Sequence, residues 1–294
     1  MNETMSWADA TIADARDLSE ADAFCARLVD DSRGRSPMPP LPGALPLRPH
    51  IAAIFAFARI AVDFANDSEF APDRLGRLAD WERQLRAAES GQATHPVFAA
   101  LGRTIRERGL PLGPFEDLLG AARQDCAQKR YQTFAELQEY CRRSANPLGR
   151  LALMVDGVRD TRRLEFSDRV CTALRLTRVL QEIQGDLDRD RIYIPREDFQ
   201  ATGYSEADLR MKIVNERFRS LMKIQWKRAR TLYEEGKPLF LTLPRPLSWE
   251  LKLTWLGGKA LLRKVHKLGY DTLRHRPALT RWDWPNLLLG VLFS

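Results

Sequence analysis

Apolar positions recur with a 3.6-residue period along nearly the whole chain and period-2 alternation is scarce, so the pattern predicts an all-α protein. Ser19-Glu20-Ala21-Asp22 reads as a capping box, in which a hydroxyl and an acid satisfy each other's backbone N–H groups, and it opens a helix to about Asp31. The prolines and glycines of SRGRSPMPPLPGALPLRP (32–49) then exclude regular structure. From His50 to about Asn66, IAAIFAFARIAVDFAN is apolar on all sides, which predicts a central, buried helix. Helical periodicity continues through 74–90, 95–108, 114–128, 133–144 and 147–158. Ser167 is placed to cap a long helix over 168–187, a second capping box, Ser205-Glu206-Ala207-Asp208, opens 207–235, and a last long helix covers 249–268. No repeat or low-complexity linker interrupts the series. The expected organisation is one helical domain, 19–284, between a flexible N-terminal stretch, 1–18, and an apolar tail, 285–294.

Composition narrows the partners. A chain of 294 residues can bury a sizeable core, and 46 basic against 39 acidic residues leave a net charge of +7. That charge suits diphosphates, acidic lipid surfaces or nucleic acid. No aromatic-interleaved basic motif accompanies it, so nucleic acid is not an expected partner. Cys25, Cys126, Cys141 and Cys171 are far apart, as are the four histidines, which predicts reduced, packed thiols and no zinc site. The acidic N-terminus is not a signal peptide, and no apolar run reaches membrane-spanning length. The expected localisation is cytoplasmic, with peripheral contact at the inner face of the membrane through Leu287–Phe293 and the basic run KIQWKRAR (223–230). Trp249, Trp255, Trp282 and Trp284 are expected in core and tail packing, and His266 and His275 have no catalytic role.

Charge inside apolar helices has to be paired or used. The first of two such helices carries Arg59, Asp63 and Asp67 on an apolar background; on the second, 168–187, Arg175, Arg178, Glu182 and Asp186 form one stripe. Carboxylates at i and i+4, presented by two helices, can hold Mg²⁺ against a substrate's phosphates, and Asp63/Asp67 and Glu182/Asp186 both have that spacing.

The residues themselves go further. YCRRSANPLG (140–149) and CTALRLTRVLQEIQGDLDRDRIYIP (171–195) resemble the squalene/phytoene synthase family, as do RPHIAAIFAFAR (48–59), DCAQKRYQTFAEL (125–137) and LGGKALLRKVHKLGYDTLRHRPALTRWDW (256–284). The resemblance runs from about Ala21 to Trp284 and is strongest to the hopanoid-pathway branch, the hydroxysqualene synthases. It implies a single-domain isoprenoid synthase helical bundle around a central apolar cavity, where two aspartate-rich helices face each other across a diphosphate held by Mg²⁺. It also implies action on presqualene or farnesyl diphosphate in squalene or hopanoid biosynthesis, with water rather than NADPH quenching the cation. Arg59, Tyr140, Glu182 and Asp186 match family catalytic positions, and Tyr131 and Phe55 match substrate-lining ones, although the branch generally has tyrosine where Phe55 stands.

The chain departs from the family pattern at the metal ligands. Val62 and Asn66 replace the first aspartate pair; Asp63 and Asp67 come one residue later, about 100° around a helix. Arg175 and Arg178 replace a glutamine and an asparagine in the second motif, and Arg178 is one turn from Glu182, where it can pair with it. The 31–36 loop carries Arg33 and Arg35 where relatives read S-H-Y-E-N-F. Two accounts remain open: Arg33, Arg35, Arg175 and Arg178 hold the diphosphate in place of Mg²⁺, or the chemistry is lost and the bundle serves as a paralogous partner subunit or lipid-binding module.

Overall fold

Local capping chemistry sets several helix starts, through Asp73, His95, Thr133, Asp160, Ser205 and Asn215. The computed structural model describes residues 7–10, 18–32, 47–245 and 247–293; their regular structure is helical, with an isolated bridge between Arg130 and Ile192 as the sole extended pairing among them. The described residues group into two compact units: 42–127 with the residues before 37 and 150–159, and 128–149 with the residues from 160 onward.

The first unit is built around α2 (Arg48–Asn66), which packs against α1 (Leu18–Ser32), α3 (Arg74–Glu89), α4 (Pro96–Arg108) and α5 (Gly113–Ala127). Its inner side, Ile54, Phe57, Ile60, Ala61 and Phe64, is fully buried. Phe57 stacks on Trp81 at 6.2 Å and meets Phe98 and Phe115 edge-on at 5.9 and 5.4 Å, the offset geometries aromatic quadrupoles favour. The Trp81 indole N–H donates to the Phe57 carbonyl at 3.2 Å, satisfying the polar end of a buried ring. His95 caps α4: its Nδ1 accepts from Val97 N at 3.2 Å, so Nε2 carries the proton and donates to the Trp7 carbonyl at 2.9 Å. Burial pushes this imidazole down to about 4, with the Trp7 bond opposing. Asp22 and Arg103 tie α1 to α4 through two bonds of 2.7 and 2.8 Å.

In contrast to the expectation, α2 is not buried all round. Val62 is 46% exposed, and Phe55, Arg59, Asp63 and Asn66 are half-buried on the same open side. Helical spacing explains it: these residues are three or four apart and form one stripe, polar at one end.

The second unit holds α6 (Phe134–Ser144), α8 (Thr161–Gln181), α9 (Ile183–Asp188), α10 (Arg196–Thr202), α11 (Glu206–Arg210), α12 (Glu216–Gly236), α13 (Leu239–Thr242), α14 (Leu247–Lys267) and α15 (Trp284–Phe293); α7 (Asn146–Val155) straddles the boundary. Close packing of α8, α12 and α14 centres on one buried contact. The Tyr233 hydroxyl lies 3.0 Å from Thr177 Oγ1, which donates to the Ala173 carbonyl, so Tyr233 is the donor between them. Gly258 makes the approach possible, because a Cβ there would lie 2.1 Å from the Tyr233 oxygen.

Three boundaries correct the sequence reading. Helix α1 already includes Leu18, so Ser19 lies inside its first turn rather than capping it. Ser167 does not cap a helix: α8 begins two turns earlier, where Asp160 accepts from Arg163 N at 3.0 Å, and Ser167 is buried against Gly149, whose added Cβ would lie 2.5 Å from its hydroxyl. The capping box at Ser205 is present, yet α11 ends at Arg210 because Lys212 takes a left-handed φ of 55°; Asn215 then caps α12 separately. The four cysteines are free thiols, and burial pushes Cys25, Cys141 and Cys171 up to about 12. The apolar tail forms α15, packed on α14, while Trp249 and Trp282 are 39% and 75% exposed rather than packed inside. Among the described residues no helix is long and apolar enough to cross a membrane.

Candidate functional site

In the first unit the candidate residues share the open side of α2. Arg59 Nε donates to Asp63 Oδ2 at 2.8 Å, so this carboxylate is already held by a guanidinium. Asn66 Nδ2 turns back onto the Val62 carbonyl at 2.6 Å. Asp67 is the C-cap, with ψ of 142°, and its backbone N–H closes the last turn onto the Asp63 carbonyl at 2.8 Å. The i, i+4 relation that suggested a ligand pair therefore fails at its second member, because the helix ends before it. Phe55 lies half-buried on the same stripe.

The second unit assembles more of the expected residues. Tyr131, Tyr140 and Tyr193 form a buried triangle, with ring centroids 5.4–5.8 Å apart. The Arg175 guanidinium lies 5.2 Å from the Tyr140 ring and 4.9 Å from that of Tyr193, and its Nη2 donates to the Tyr140 hydroxyl at 2.7 Å. Two aromatic faces and a hydrogen bond fix a normally flexible side chain before any ligand arrives.

Below Arg175 the helix breaks. Glu182 takes φ −106° and ψ 14°, closing α8 and opening α9, while the backbone bonds Glu182 N to Arg178 O and Asp186 N to Glu182 O persist at 2.9 Å each. The chain at 276–278 pins this break: Arg276 pairs with the Glu182 carboxylate, and Gln181 Nε2 donates to the Pro277 carbonyl. Sequence spacing pointed to Arg178 as the partner of Glu182; the structure adds Arg276, 94 positions away, and leaves Arg178 on the exposed side of α8. Burial pushes the Asp186 carboxyl up to about 6, against the pull of Arg175, Arg189 and Arg178, with Glu182 adding a further push. Arg189 Nη1 lies 3.9 Å from Asp186 Oδ1.

Arg130, in one of the family-like segments, is committed to the scaffold. It donates to Glu206 at 3.0 and 3.1 Å and to Asp190 at 2.9 Å, holding the 128–132 segment against α11. Arg33 and Arg35 lie outside the described residues. Tyr193, Arg189 and Arg276 were not among the residues singled out from sequence. Tyr193 was legible as the aromatic in R-I-Y-I-P, whereas nothing local signals Arg276.

These residues do not fit a Mg²⁺ centre. Asp63 and Glu182 are already paired with arginines, Asp67 is off its helix, and Asp186 sits in the field of three further guanidiniums. Among the described residues no three His, Cys, Asp or Glu side chains are grouped to hold a metal ion. The second motif instead concentrates positive charge on pre-set donors, which suits an anion such as a phosphate group.

Comparison with known proteins gives the context. The Squalene/phytoene synthase family model matches residues 42–283. The solved squalene synthase HpnC from Alicyclobacillus acidocaldarius is 37% identical, covering 86% of this chain and 95% of that one, with a TM-score of 0.77. A 15-cis-phytoene synthase from a Synechocystis species is 31% identical over 239 residues, 77% of this chain and 71% of the relative. A dehydrosqualene synthase solved with a ligand shares the fold, with a TM-score of 0.82 over 95% of this chain and 98% of that one at 23% identity.

Proposed function

The chain belongs to the squalene/phytoene synthase family, and we propose that it binds an isoprenoid diphosphate, presqualene or farnesyl, through arginines in place of most of the metal contacts. Squalene or hopanoid synthesis is the setting this reading favours, because the HpnC relative is the more identical of the solved structures above. The phytoene synthase relatives leave a 15-cis-phytoene synthase activity as the competing one. The observation that carries the proposal is the excess of guanidinium over carboxylate at the α8–α9 break: Arg276 on Glu182, with Arg175, Arg178 and Arg189 around Asp186.

Ionising such a substrate breaks its C–O bond, both electrons leaving with the diphosphate. The added negative charge then needs donors already in place. Arg175, set by Tyr140 and Tyr193, meets that requirement, and Arg178 is the exposed second donor. Metal-dependent activity is altered or lost on this reading. The second reading, a partner subunit or lipid-binding protein on the same fold, is favoured by the Arg59–Asp63 pair and by Val62 and Asn66 at family ligand positions.

The test is diphosphate release from presqualene and farnesyl diphosphates with Mg²⁺ and with EDTA. Release that survives EDTA is the expected result. Release abolished by EDTA would return the site to metal chemistry and overturn the arginine account. No release from folded protein that still binds inorganic pyrophosphate leaves the binding-protein reading. Val62→Asp with Asn66→Asp and Arg178→Asn is expected to restore Mg²⁺-dependent release if the metal contacts alone were lost.

A further inference from the structure

Among the described residues ten large apolar side chains are exposed, and five of them fall late in the chain: Leu241, Trp249, Trp282, Leu288 and Leu289, at 79, 39, 75, 55 and 54%. An amphipathic surface helix normally turns polar residues outward. Helix α15, WPNLLLGVLF, contains no charged residue; Leu287 and Val291 are buried, and its outer side shows Pro285, Asn286, Leu288 and Leu289. It lies antiparallel to α14, because Lys264 pairs with Asp283 at one end and Lys252 Nζ donates to the Val291 carbonyl at 3.2 Å at the other. That second contact brings the C-terminal end of α15 beside the first turns of α14, where Trp249 is exposed, and α13, with Leu241, packs on α14 as well.

The rim of this strip is basic. Arg245 covers the Trp249 ring at 5.1 Å and Arg281 covers Trp282 at 5.2 Å. Lys237 and Arg245 lie close enough to Lys252 to add to burial in lowering its ammonium, so three cations share one end of the strip. The nearby acids Asp283 and Glu234 are held by Lys264 and Lys259 at 2.6 and 2.7 Å, and Glu250 is half-buried. Leucines flanked by tryptophans under arginines are the side-chain set that seats at a lipid headgroup boundary, the alkyl groups inward and the guanidiniums on phosphate.

We infer that the outer side of α15, with Leu241, Trp249 and Trp282, docks on an anionic bilayer surface, the cations of Lys237, Arg245, Lys252 and Arg281 meeting its headgroups. The contact shares with the functional reading only the idea of a lipid-soluble ligand. The experiment needs no diphosphate, so either can fail alone.

The full chain is floated with vesicles of phosphatidylcholine, with and without phosphatidylglycerol. Binding to the anionic vesicles is expected, and Leu288→Asp with Leu289→Asp should weaken it roughly tenfold or more. Arg245→Gln and Arg281→Gln should each cost about fivefold on anionic vesicles, an effect that fades at high salt. Both leucines are exposed, so far-UV circular dichroism of the double variant should match the parent; Leu288→Ser with Leu289→Ser is the milder control. No binding by the parent, or binding unchanged in both leucine variants, would overturn the proposal. So would self-association in solution that the same leucine changes abolish, which would assign the strip to a second copy of the chain.

Discussion

The two candidate regions are built differently. In α2 the apolar inner side is buried, and the candidate residues lie on the open stripe, where Val62 and Asn66 stand and Asp63 is bound to Arg59. At the α8–α9 break both carboxylates remain, but Glu182 and Asp186 are immersed in arginine charge and supported by a tyrosine triangle. One region pairs its single helical carboxylate with a neighbouring arginine; the other sets two carboxylates among four guanidiniums. A helix side that packs a core resists change because each buried group is felt, whereas an open stripe tolerates substitution.

The largest expected effect tests the packing half of that comparison. Phe57→Ala should lower unfolding free energy by about 3–5 kcal/mol, since it empties the centre of the aromatic cluster, while Phe55→Ala on the open stripe should cost under about 1 kcal/mol. Urea denaturation of both variants decides it; equal losses would mean that α2 has no distinct inner side.

A pH measurement sharpens the same half. His95 has its folded pKa lowered from 6.5 to about 4, so the neutral form is the one the fold accepts. Its contribution is complete above pH 6.5 and falls away as pH drops towards 4, because the unfolded chain takes up the proton first; the loss amounts to roughly 3 kcal/mol. His95→Asn keeps a capping side chain that cannot titrate and should flatten this slope between pH 7 and 4.5. A slope unchanged in the variant would assign the acid sensitivity elsewhere.

In the second region, Arg175→Ala should weaken inorganic pyrophosphate binding tenfold or more, corresponding to about 1.5–3 kcal/mol for a charge-assisted contact. Calorimetry with the pure anion reads this without turnover, and an unchanged affinity would leave Arg175 as a prop for Tyr140. The smallest effect belongs to the open stripe again. Asp63→Asn removes a partly exposed i, i+4 pair with Arg59 and should move stability by less than about 1 kcal/mol. A larger loss would show that the pair supports the helix end.

The helices were largely legible from periodicity, and the failures have identifiable causes. Ser167 carried a cap residue's chemistry but is taken up in the α7–α8 contact, which is made by Gly149, eighteen positions earlier in the chain. The helix opened by Ser205 was cut short by the backbone of Lys212, a residue with no strong turn signal. At the site, motif order pointed to Tyr140, Arg175, Glu182 and Asp186, which the second unit places on or beside the α8–α9 break and the tyrosine triangle.

By itself the sequence determined the all-α class, the family and the apolar inner side of α2, because these depend on period, motif order and residue type. Tertiary structure decided which charges meet. Arg276 reaches Glu182 from 94 positions away, Tyr193 and Tyr140 converge on Arg175, and Asp67 drops off its helix just where it was needed. Pairing energies of side chains depend on distance in space, and only the folded chain turns separation along the sequence into that distance.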